Sequence, residues 1–309
     1  MFVGCRRSAG PEQAGPRLRR RADRQRVHGH NPARARLRAL GRRPSKRLSQ
    51  SFLEDEGVAA VIVRAAGLDR ESDVLEVGPG LGVLTGRLVK LARRLVAVEV
   101  DPHLADWLQT ELASYDNVTV CAQDILKVDP SSYFERAFVV VANLPYHITS
   151  PALRHLLASG PPYASRLVVM VQAEVAERIT ATPGQMSAMA VTLQAQARIQ
   201  LVRRVPSAAF YPRPKVDSAV LLVESLPDAE RAIARSETAA FTELVRAGFK
   251  QPRKTLANSL AEGLDAPKEV AVERLQQAGI DPALRAEALA LSDWVRLFKS
   301  PRKAAENLD

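Results

Sequence analysis

The chain has 309 residues, of which 46% are apolar and 25% charged, and its formal net charge is +10. This composition provides enough apolar side chains for a folded core. Its two cysteines, Cys5 and Cys121, cannot form a disulfide framework or a cysteine-rich zinc site, and its apolar runs are too short to cross a bilayer. We therefore expect a cytoplasmic protein of one large and one small domain, with no membrane partner and no metal.

The positive charge is concentrated at the start of the chain. Residues 1–44 contain thirteen arginines and no lysine, against Glu12 and Asp23 as the acidic residues. They lack an apolar period, which is typical of disordered segments. We interpret residues 1–44 as a basic, mostly disordered extension with incidental affinity for RNA, and we expect ordered structure to begin near residues 33–40. An RNA-binding tail, a transit-like peptide and an extension upstream of the true start are the alternatives.

From Ser45 onward, short apolar runs alternate with helical segments. This alternation predicts βαβ units and a doubly wound parallel sheet. The last two runs have no helix between them, so they could pair as an antiparallel hairpin at the sheet edge. The predicted strands span residues 74–77, 95–100, 118–121, 138–142, 167–171, 199–205 and 219–223.

The character of the sequence changes after Leu226. Residues 228–309 are rich in Ala, Leu, Glu, Arg and Lys, and four prolines interrupt them. This pattern predicts a small domain of four or five helices. We therefore divide the chain into a basic extension (1–44), an α/β domain (45–226) and a helical domain (227–309).

The first predicted strand ends in a glycine-rich turn. Residues 73–82 read D-V-L-E-V-G-P-G-L-G, and a periodic apolar segment follows. Since Gly78 and Gly80 have no Cβ, such a turn lets backbone N–H groups approach a nucleotide-like ligand. The spacing differs from the G-x-G-x-x-G of dinucleotide-binding proteins, and the turn alone also fits a strand–helix connection without a ligand.

Acidic residues end the next two predicted strands. Glu99 lies about twenty residues beyond the glycine turn, where a carboxylate can accept hydrogen bonds from ribose hydroxyls. Asp124 ends the third apolar run. Because the carboxyl ends of parallel strands share one sheet edge, where open α/β sheets bind ligands, we predict an adenosine-type cofactor there.

Residues 143–146, N-L-P-Y, follow the fourth strand and would lie at the same edge. The exocyclic amine of adenine is a poor nucleophile, and two acceptors for its N–H bonds would orient it and favour the charge that develops on methyl transfer. The Asn143 Oδ1 and Leu144 carbonyl oxygens suit these roles, because Pro145 favours an extended Leu144. The Tyr146 ring suits stacking on an extruded base. The alternative is a purely structural turn.

Two later segments carry basic residues. Residues 210–218, F-Y-P-R-P-K-V-D-S, predict an extended loop that presents Phe210 and Tyr211 beside Arg213 and Lys215, which suits a splayed nucleotide and its phosphate. The alternative is an edge-strand entry with Phe210 in the core. Further cations in or near a helix would bind phosphates or form a solvated helix face. They are Arg246, Lys250, Arg253 and Lys254.

In their order along the chain, these motifs resemble those of the ribosomal RNA adenine N6,N6-dimethyltransferase family, and within it the KsgA/RsmA type. The resemblance covers about residues 45–298. Its segments are S-Q-S-F-L (49–53), E-V-G-P-G-L-G (76–82), V-E-V-D (98–101), Q-D-I (123–125), N-L-P-Y (143–146), V-Q-A-E-V-A-E-R-I (171–179), F-Y-P-R-P-K-V-D-S (210–218) and R-A-G-F-K-Q-P-R-K-T-L-A-N-S-L (246–260).

The resemblance implies a Rossmann-like class I S-adenosylmethionine-dependent methyltransferase domain and a small all-α RNA-binding domain. It implies a monomer that dimethylates N6 of two adjacent adenines near the 3′ end of small-subunit (16S) ribosomal RNA within a pre-30S particle. Phe210 and Tyr146 would sandwich the target adenine. The implied cofactor-binding residues are Gln50, Ser51, Leu53, Glu76, Gly78, Gly80, Glu99, Asp124 and Asn143.

The chain departs from the family pattern in two places. Ser51 stands where the family usually has Asn, and residues 251–252, Gln-Pro, stand where a basic pair is common. Two other functions stay open: an Erm-type enzyme that methylates one adenine of large-subunit (23S) ribosomal RNA, and a non-catalytic ribosome-assembly factor on the same scaffold. His147 and His155 lie in no ligand cluster, and we interpret both as structural or peripheral.

Overall fold

The computed structural model describes residues 33–301, which form two compact units. The first unit contains residues 33–173 together with Leu201–Val223, and the second contains Glu174–Gln200 together with residues 224–301. The predicted division at residue 226 treated each domain as continuous. In the structure, residues 174–200 instead belong to the helical unit.

The described chain contains nine strands. They are β1 (Phe52–Leu53), β2 (Asp73–Val77), β3 (Arg94–Glu99), β4 (Val118–Ala122), β5 (Phe138–Asn143), β6 (Ala164–Gln172), β7 (Ala197–Val205), β8 (Phe210–Tyr211) and β9 (Ser218–Ser225). Seven form one sheet in the order β4-β3-β2-β5-β6-β9-β7, while β1 and β8 pair separately. The order and the parallel pairing of β2 through β6 confirm the predicted α/β fold.

Eleven α-helices occur among the described residues. They are α1 (Ala33–Ala39), α2 (Glu56–Ala66), α3 (Thr85–Leu88), α4 (Pro102–Glu111), α5 (Thr149–Ala158), α6 (Ala173–Ile179), α7 (Ala188–Gln194), α8 (Thr238–Gly248), α9 (Leu256–Gly263), α10 (Lys268–Gln277) and α11 (Leu291–Lys299). None of the described helices is both long and apolar enough to cross a membrane.

Local sequence signals explain where the helices beside the sheet begin and end. Asp55 caps α2 by accepting a hydrogen bond of 2.9 Å from the Val58 N–H, and Gly67 ends α2 in the left-handed conformation. Asp101 caps α4, which has Pro102 at its first position. These caps place each helix directly after a strand or a short turn, as doubly wound sheets require.

The central strand β2 is buried along its whole length. A parallel strand that is covered on both faces has a mostly continuous run of apolar residues instead of an alternating pattern. This is why residues 74–77, V-L-E-V, could be predicted as a strand from the sequence. The two edge strands of the sheet are β4 and β7, and β7 lies next to β9. The Leu226 N–H bonds the Gln196 carbonyl and the Ser207 N–H bonds the Asp217 side chain, so β9 and β7 run antiparallel as predicted.

The start of the described chain is folded, in agreement with the expectation that ordered structure begins near residues 33–40, although the boundary at residue 44 had placed these residues in the basic extension. Helix α1 buries Ala33 and Leu37. These two side chains belong to a cluster whose other buried members are Phe52, Leu81 and Leu104. The boundary was drawn too late in the chain because two apolar residues among arginines give too short a period to recognise. Residues 1–32 lie outside the described part of the chain.

Two hydrogen bonds hold α1 on the first unit. The Ala33 N–H donates to Glu54 Oε1 at 2.6 Å, and Arg36 Nη1 donates to the Leu81 carbonyl at 2.9 Å. Leu81 belongs to the glycine-rich turn, so α1 is anchored to the segment that follows β2. The first unit therefore begins no later than Ala33, rather than at Ser45.

The second unit has its own apolar core. Trp294 is fully buried, and its ring stacks on Phe249 with the centroids 5.5 Å apart. Met186 and Val191, from the segment that precedes β7, are buried in the same cluster as Phe241. This shared core is the physical reason that residues 174–200 belong to the helical unit. After Leu226, four α-helices occur in the described chain, within the predicted range.

Candidate active site

A cavity of about 260 Å³ lies at the carboxyl edge of the sheet. The structure brings all nine of the predicted cofactor-binding residues to its lining. They are Gln50, Ser51, Leu53, Glu76, Gly78, Gly80, Glu99, Asp124 and Asn143. They come from β1 and the segment before it and from the ends of β2, β3, β4 and β5, so the parallel sheet is what gathers residues that are distant in sequence.

The glycine-rich turn forms one wall of this cavity. Gly80 has a φ of +56°, and a Cβ at this position would lie 3.1 Å from the Phe52 ring, so a side chain would be both strained and crowded. The Gly80 N–H donates to Glu99 Oε2 at 3.0 Å. The turn therefore keeps its backbone close to the cavity and ties it to the neighbouring strand.

Glu99 is 4% exposed and lines the cavity. Besides the Gly80 bond, its Oε1 accepts a hydrogen bond of 3.0 Å from the Asp101 N–H. Burial raises the pKa of Glu99, and the two backbone donors oppose this shift. Each carboxylate oxygen retains a lone pair, so the side chain is held in place and can still accept hydroxyl donors.

Glu76 is a buried carboxyl group that lies close to Thr85. It is 1% exposed, and neither of its oxygens makes a hydrogen bond of normal geometry with the described residues. Burial raises its pKa to about 8, with a further rise from Glu99 and a lowering by the neighbouring Thr85 hydroxyl. An unpaired carboxyl on the wall of a cavity is a site that a cationic group would complete.

Asp124 stands at the end of β4 and is partly buried. Its Oδ1 accepts a hydrogen bond of 3.0 Å from the Leu126 N–H and caps a short 3₁₀ helix, Ile125–Lys127. The other oxygen, Oδ2, accepts no bond from the described residues. The carboxylate is thus oriented by the chain while one oxygen stays available at the cavity.

Asn143 is held by its amide nitrogen. Nδ2 donates to the Ser51 carbonyl at 3.3 Å, and the Ser51 hydroxyl donates to the Pro212 carbonyl at 2.6 Å. We call this chain of bonds, from Asn143 through Ser51 to Pro212, the Ser51 bridge. Because the bridge uses Nδ2, Oδ1 is left as a free acceptor at the cavity. Next to it, the buried Leu144 is fixed by a 3.2 Å bond from its N–H to the Met170 carbonyl.

The aromatic residues are not all placed as predicted. Tyr146 is partly buried, and its hydroxyl hydrogen-bonds Ser218 Oγ at 2.9 Å. Burial raises the pKa of Tyr146. Phe210 is only 5% exposed, lies in the core beside the sheet and lines neither of the two cavities described here. Its neighbour Tyr211 lines a second cavity with Tyr146. Stacking by Phe210 stays a prediction, and Tyr211, the other aromatic that the sequence placed on this loop, is the one that lines the second cavity.

Comparison with known proteins identifies the family. The family model for ribosomal RNA adenine dimethylase matches residues 41–303. The chain belongs to this family. A relative named ribosomal RNA small subunit methyltransferase A, from Dehalococcoides mccartyi, is 44% identical over 82% of this chain and 86% of its own length. A protein of the same name from Lactiplantibacillus plantarum is 39% identical over 89% of this chain and 96% of its own.

Solved structures of similar proteins agree with this membership. The 23S rRNA methyltransferase ErmE is 29% identical, with a TM-score of 0.64 over 80% of this chain and 98% of its own. A dimethyladenosine transferase from Plasmodium falciparum has the same fold, with a TM-score of 0.67 at 24% identity over 80% of this chain and 95% of its own. The fold of this dimethylase family is thus the predicted Rossmann-like α/β fold of class I methyltransferases, and the chain carries a helical region after it.

A larger groove adjoins the cavity in this member of the dimethylase family. Its volume is about 1160 Å³, and residues 49–51 line both spaces. Arg213 and Lys215, two of the predicted RNA-binding residues, line the groove. Ser49 is also notable for a φ of +49°, which is rare for a residue other than glycine. The S-Q-S-F-L motif includes Ser49, but no sequence signal marks its conformation, which depends on the surrounding fold.

The other predicted RNA-binding residues of this dimethylase lie in the second unit and fall into two pairs. Arg246 bonds the Glu243 carboxylate at 2.6 Å, and Lys250 bonds the Glu262 carbonyl at 3.0 Å. Arg253 and Lys254 are exposed and make no ion pair with the described residues. The structure thus distinguishes two cations with internal partners from two without, which the sequence did not.

The two histidines, His147 and His155, differ in their surroundings. His155 Nε2 lies 2.7 Å from the Val128 carbonyl, a contact within the first unit that supports its structural interpretation. His147 is exposed and lines the cavity, so it is closer to the site than expected. Among residues 33–301, no group of three or more His, Cys, Asp or Glu residues could hold a metal ion.

Proposed function

We propose that this protein uses S-adenosylmethionine to dimethylate N6 of two adjacent adenines in small-subunit ribosomal RNA. The family membership gives ribosomal RNA as the substrate class and adenine dimethylation as the reaction. The small-subunit assignment is supported by relatives at 38–44% identity that carry that name. We further propose that the protein acts as a monomer on a pre-30S particle.

One observation carries this proposal more than any other. The Asn143 amide is fixed through Nδ2, and its Oδ1 is left free at the wall of a cavity lined by all nine predicted cofactor-binding residues. An amide oxygen held in this way is preorganised to accept a hydrogen bond from an exocyclic amine, and it needs little rearrangement during the reaction.

The cavity fits S-adenosylmethionine by the chemistry of its donors and acceptors. Glu76 offers an unpaired buried carboxyl for the ammonium group of the methionine portion. Glu99 and Asp124 each retain acceptor capacity, for the ribose hydroxyls and the adenine amine respectively. When bound, the cofactor supplies an electrophilic methyl group on a sulfonium sulfur.

The residues around N6 have separate tasks in the proposed reaction. Asn143 Oδ1 and the Leu144 carbonyl accept the two N–H bonds of the adenine amine, which orients the nitrogen and stabilises the positive charge that develops on it. Tyr146 stacks on the extruded base. No covalent intermediate with the protein is required, and no side chain has to act as a nucleophile.

The test is methyl transfer to defined ribosomal particles. Purified protein is incubated with methyl-labelled S-adenosylmethionine and either small subunits that lack the modification or large subunits. We expect label in N6,N6-dimethyladenosine of the small-subunit RNA only. Label on the large subunit alone would favour the Erm-type alternative. No transfer and no heat of cofactor binding in calorimetry would favour a non-catalytic assembly factor.

A further inference from the structure

We infer that α1 and the loop after it, residues 33–46, form an RNA-binding wall that holds the backbone phosphates of the strand carrying the target adenine. This inference rests on the proposed function, because it takes ribosomal RNA as the ligand. It assigns a specific role to residues that the sequence analysis placed in a basic extension with only incidental affinity for RNA. We call the larger space beside the cofactor cavity the basic groove.

Seven cations and no acidic residue line the basic groove. Twenty residues line it, and neither Asp nor Glu is among them. One wall carries Arg34, Arg38, Arg42, Arg43 and Lys46. Arg213 and Lys215 lie on the segment that follows β8 and also line the groove. All seven side chains are exposed. Like charges gathered in a concave surface repel one another and attract a polyanion, so such a lining favours a phosphate backbone as ligand.

Helix α1 has two faces with different tasks. Ala33 and Leu37 face inward and are buried against the glycine-rich turn. Arg34 and Arg38 are four residues apart, so they project from one side of the helix, and both line the groove. The inward face fixes the helix, and the outward face presents two guanidinium groups.

The loop after α1 continues this basic wall. Arg42 lies 3.8 Å from Asp101, which draws it toward the cofactor side. Arg43 and Lys46 are exposed and make no ion pair with any described residue. Cations without internal partners are available to external phosphates and need not break a salt bridge first.

The rest of the groove identifies RNA as the ligand, rather than a small anion. Tyr146 and Tyr211 contribute aromatic rings to the lining, and Gln172 adds a polar side chain. A volume of about 1160 Å³ exceeds that of a typical small-molecule pocket, which is about 300–1,000 Å³. Cations that follow a backbone together with rings for bases are the features of single-stranded nucleic-acid sites. Since residues 49–51 also line the cofactor cavity, a strand in the groove passes next to Asn143.

The test removes two charges from the wall and two from elsewhere in the same unit. The groove variant is Arg38→Gln/Arg43→Gln. The matched control is Arg64→Gln/Arg70→Gln, which removes the same charge from exposed positions that line neither cavity. The probe is a short single-stranded RNA with two adjacent adenines, titrated against the full chain from about 50 to 200 mM salt.

We expect the groove variant to bind this RNA about tenfold more weakly than the control, and the slope of log affinity against log salt to fall by about 1.4, the value for two lost phosphate contacts on a single strand. Equal affinity and slope for the two variants would overturn the inference. If Arg38→Gln/Arg43→Gln does not fold, as judged by thermal unfolding, Arg43→Gln/Lys46→Gln tests the loop without altering α1.

Failure of the inference can be told apart from failure of the proposed function. A wild-type protein that methylates small-subunit RNA, together with groove and control variants of equal RNA affinity, overturns the RNA-binding wall and leaves the proposed function intact. A wild-type protein that transfers no methyl group overturns the proposed function, and the salt titration then decides on the basic groove by itself.

Discussion

Basic residues of the second unit differ in their neighbours from those of the basic groove in the first. In the second unit, exposed cations often have a carboxylate within reach; examples are Arg246 with Glu243 at 2.6 Å and Arg296 with Asp293 at 2.7 Å. In the basic groove of the first unit, seven exposed cations share a lining without any acid. The difference shows that the availability of a cation for binding phosphates depends on its neighbours in the fold. A count of basic residues along the chain does not measure this availability.

The comparison assumes that methyl transfer takes place in the first unit, and the largest expected effect tests this assumption. In Asn143→Ala the preorganised acceptor for the adenine amine is lost. We expect kcat to fall by about 100-fold to 1,000-fold, while the dissociation constant for S-adenosylmethionine changes little. Single-turnover methylation and calorimetry measure the two quantities. Full activity of Asn143→Ala would show that another group holds the amine.

A second prediction concerns the buried carboxyl of the same unit and its dependence on pH. Since the pKa of Glu76 is raised from 4.5 to about 8, the folded state binds a proton that the unfolded state has already lost in this interval. The contribution of Glu76 to the free energy of unfolding therefore decreases as the pH rises from 4.5 to 8. Glu76→Gln keeps the shape of the side chain but does not titrate.

The measurement is the free energy of unfolding of the wild type and of Glu76→Gln across this interval, without cofactor. We expect the wild type to lose about 2–4 kcal/mol relative to the variant between pH 4.5 and 8. With S-adenosylmethionine present near pH 7, binding should also release a proton in the wild type but not in Glu76→Gln. Parallel stability profiles would contradict the assignment of a neutral buried carboxyl.

The Ser51 bridge predicts a smaller effect. Ser51→Ala removes the hydroxyl that bonds the Pro212 carbonyl, but it keeps the backbone carbonyl that holds Asn143. We expect kcat to fall by about fivefold to tenfold, since one neutral hydrogen bond contributes about 1 kcal/mol. Ser51→Thr retains the hydroxyl and should restore most of the rate. If Ser51→Ala and Ser51→Thr are equally slow, steric change rather than the bridge is the cause.

The smallest expected effects come from the second unit, where cations with internal partners can be compared with cations that have none among the described residues. Arg246→Gln/Lys250→Gln removes cations that have internal partners, and Arg253→Gln/Lys254→Gln removes two that have none among the described residues. We expect the second variant to weaken binding to small-subunit RNA by about twofold to fivefold and the first by less. Equal losses would mean that the internal ion pairs open when RNA binds.

The sheet and the cofactor edge could be predicted because both follow from strong local signals. Buried parallel strands appear in the sequence as continuous apolar runs. Because the carboxyl ends of such strands meet at one edge of the sheet, the sequence alone places Glu99, Asp124 and Asn143 close together. Membership in the dimethylase family was likewise recognisable from motif order. These inferences needed only the sequence within each strand and the turn after it.

The remaining features depend on contacts that no local pattern reveals. Helix α1 buries only two apolar side chains, Ala33 and Leu37, and their partners come together only when the glycine-rich turn has folded. The Ser51 bridge runs through a backbone carbonyl, which carries no residue identity. Phe210 and Tyr211 are adjacent, and the sequence could not decide which ring faces the core.

The docking of α1 also bears on how this protein should be shortened for experiments. An arginine-rich start invites removal, and a chain trimmed to begin at Ser45 would keep every recognisable methyltransferase motif. Such a truncation would uncover Phe52 and Leu81, which Leu37 now covers, and would delete four of the seven arginines and lysines that line the basic groove. If the truncated protein is unstable or inactive, the missing helix would be the cause. The loss of activity would then say nothing about the catalytic residues that the truncated protein still contains.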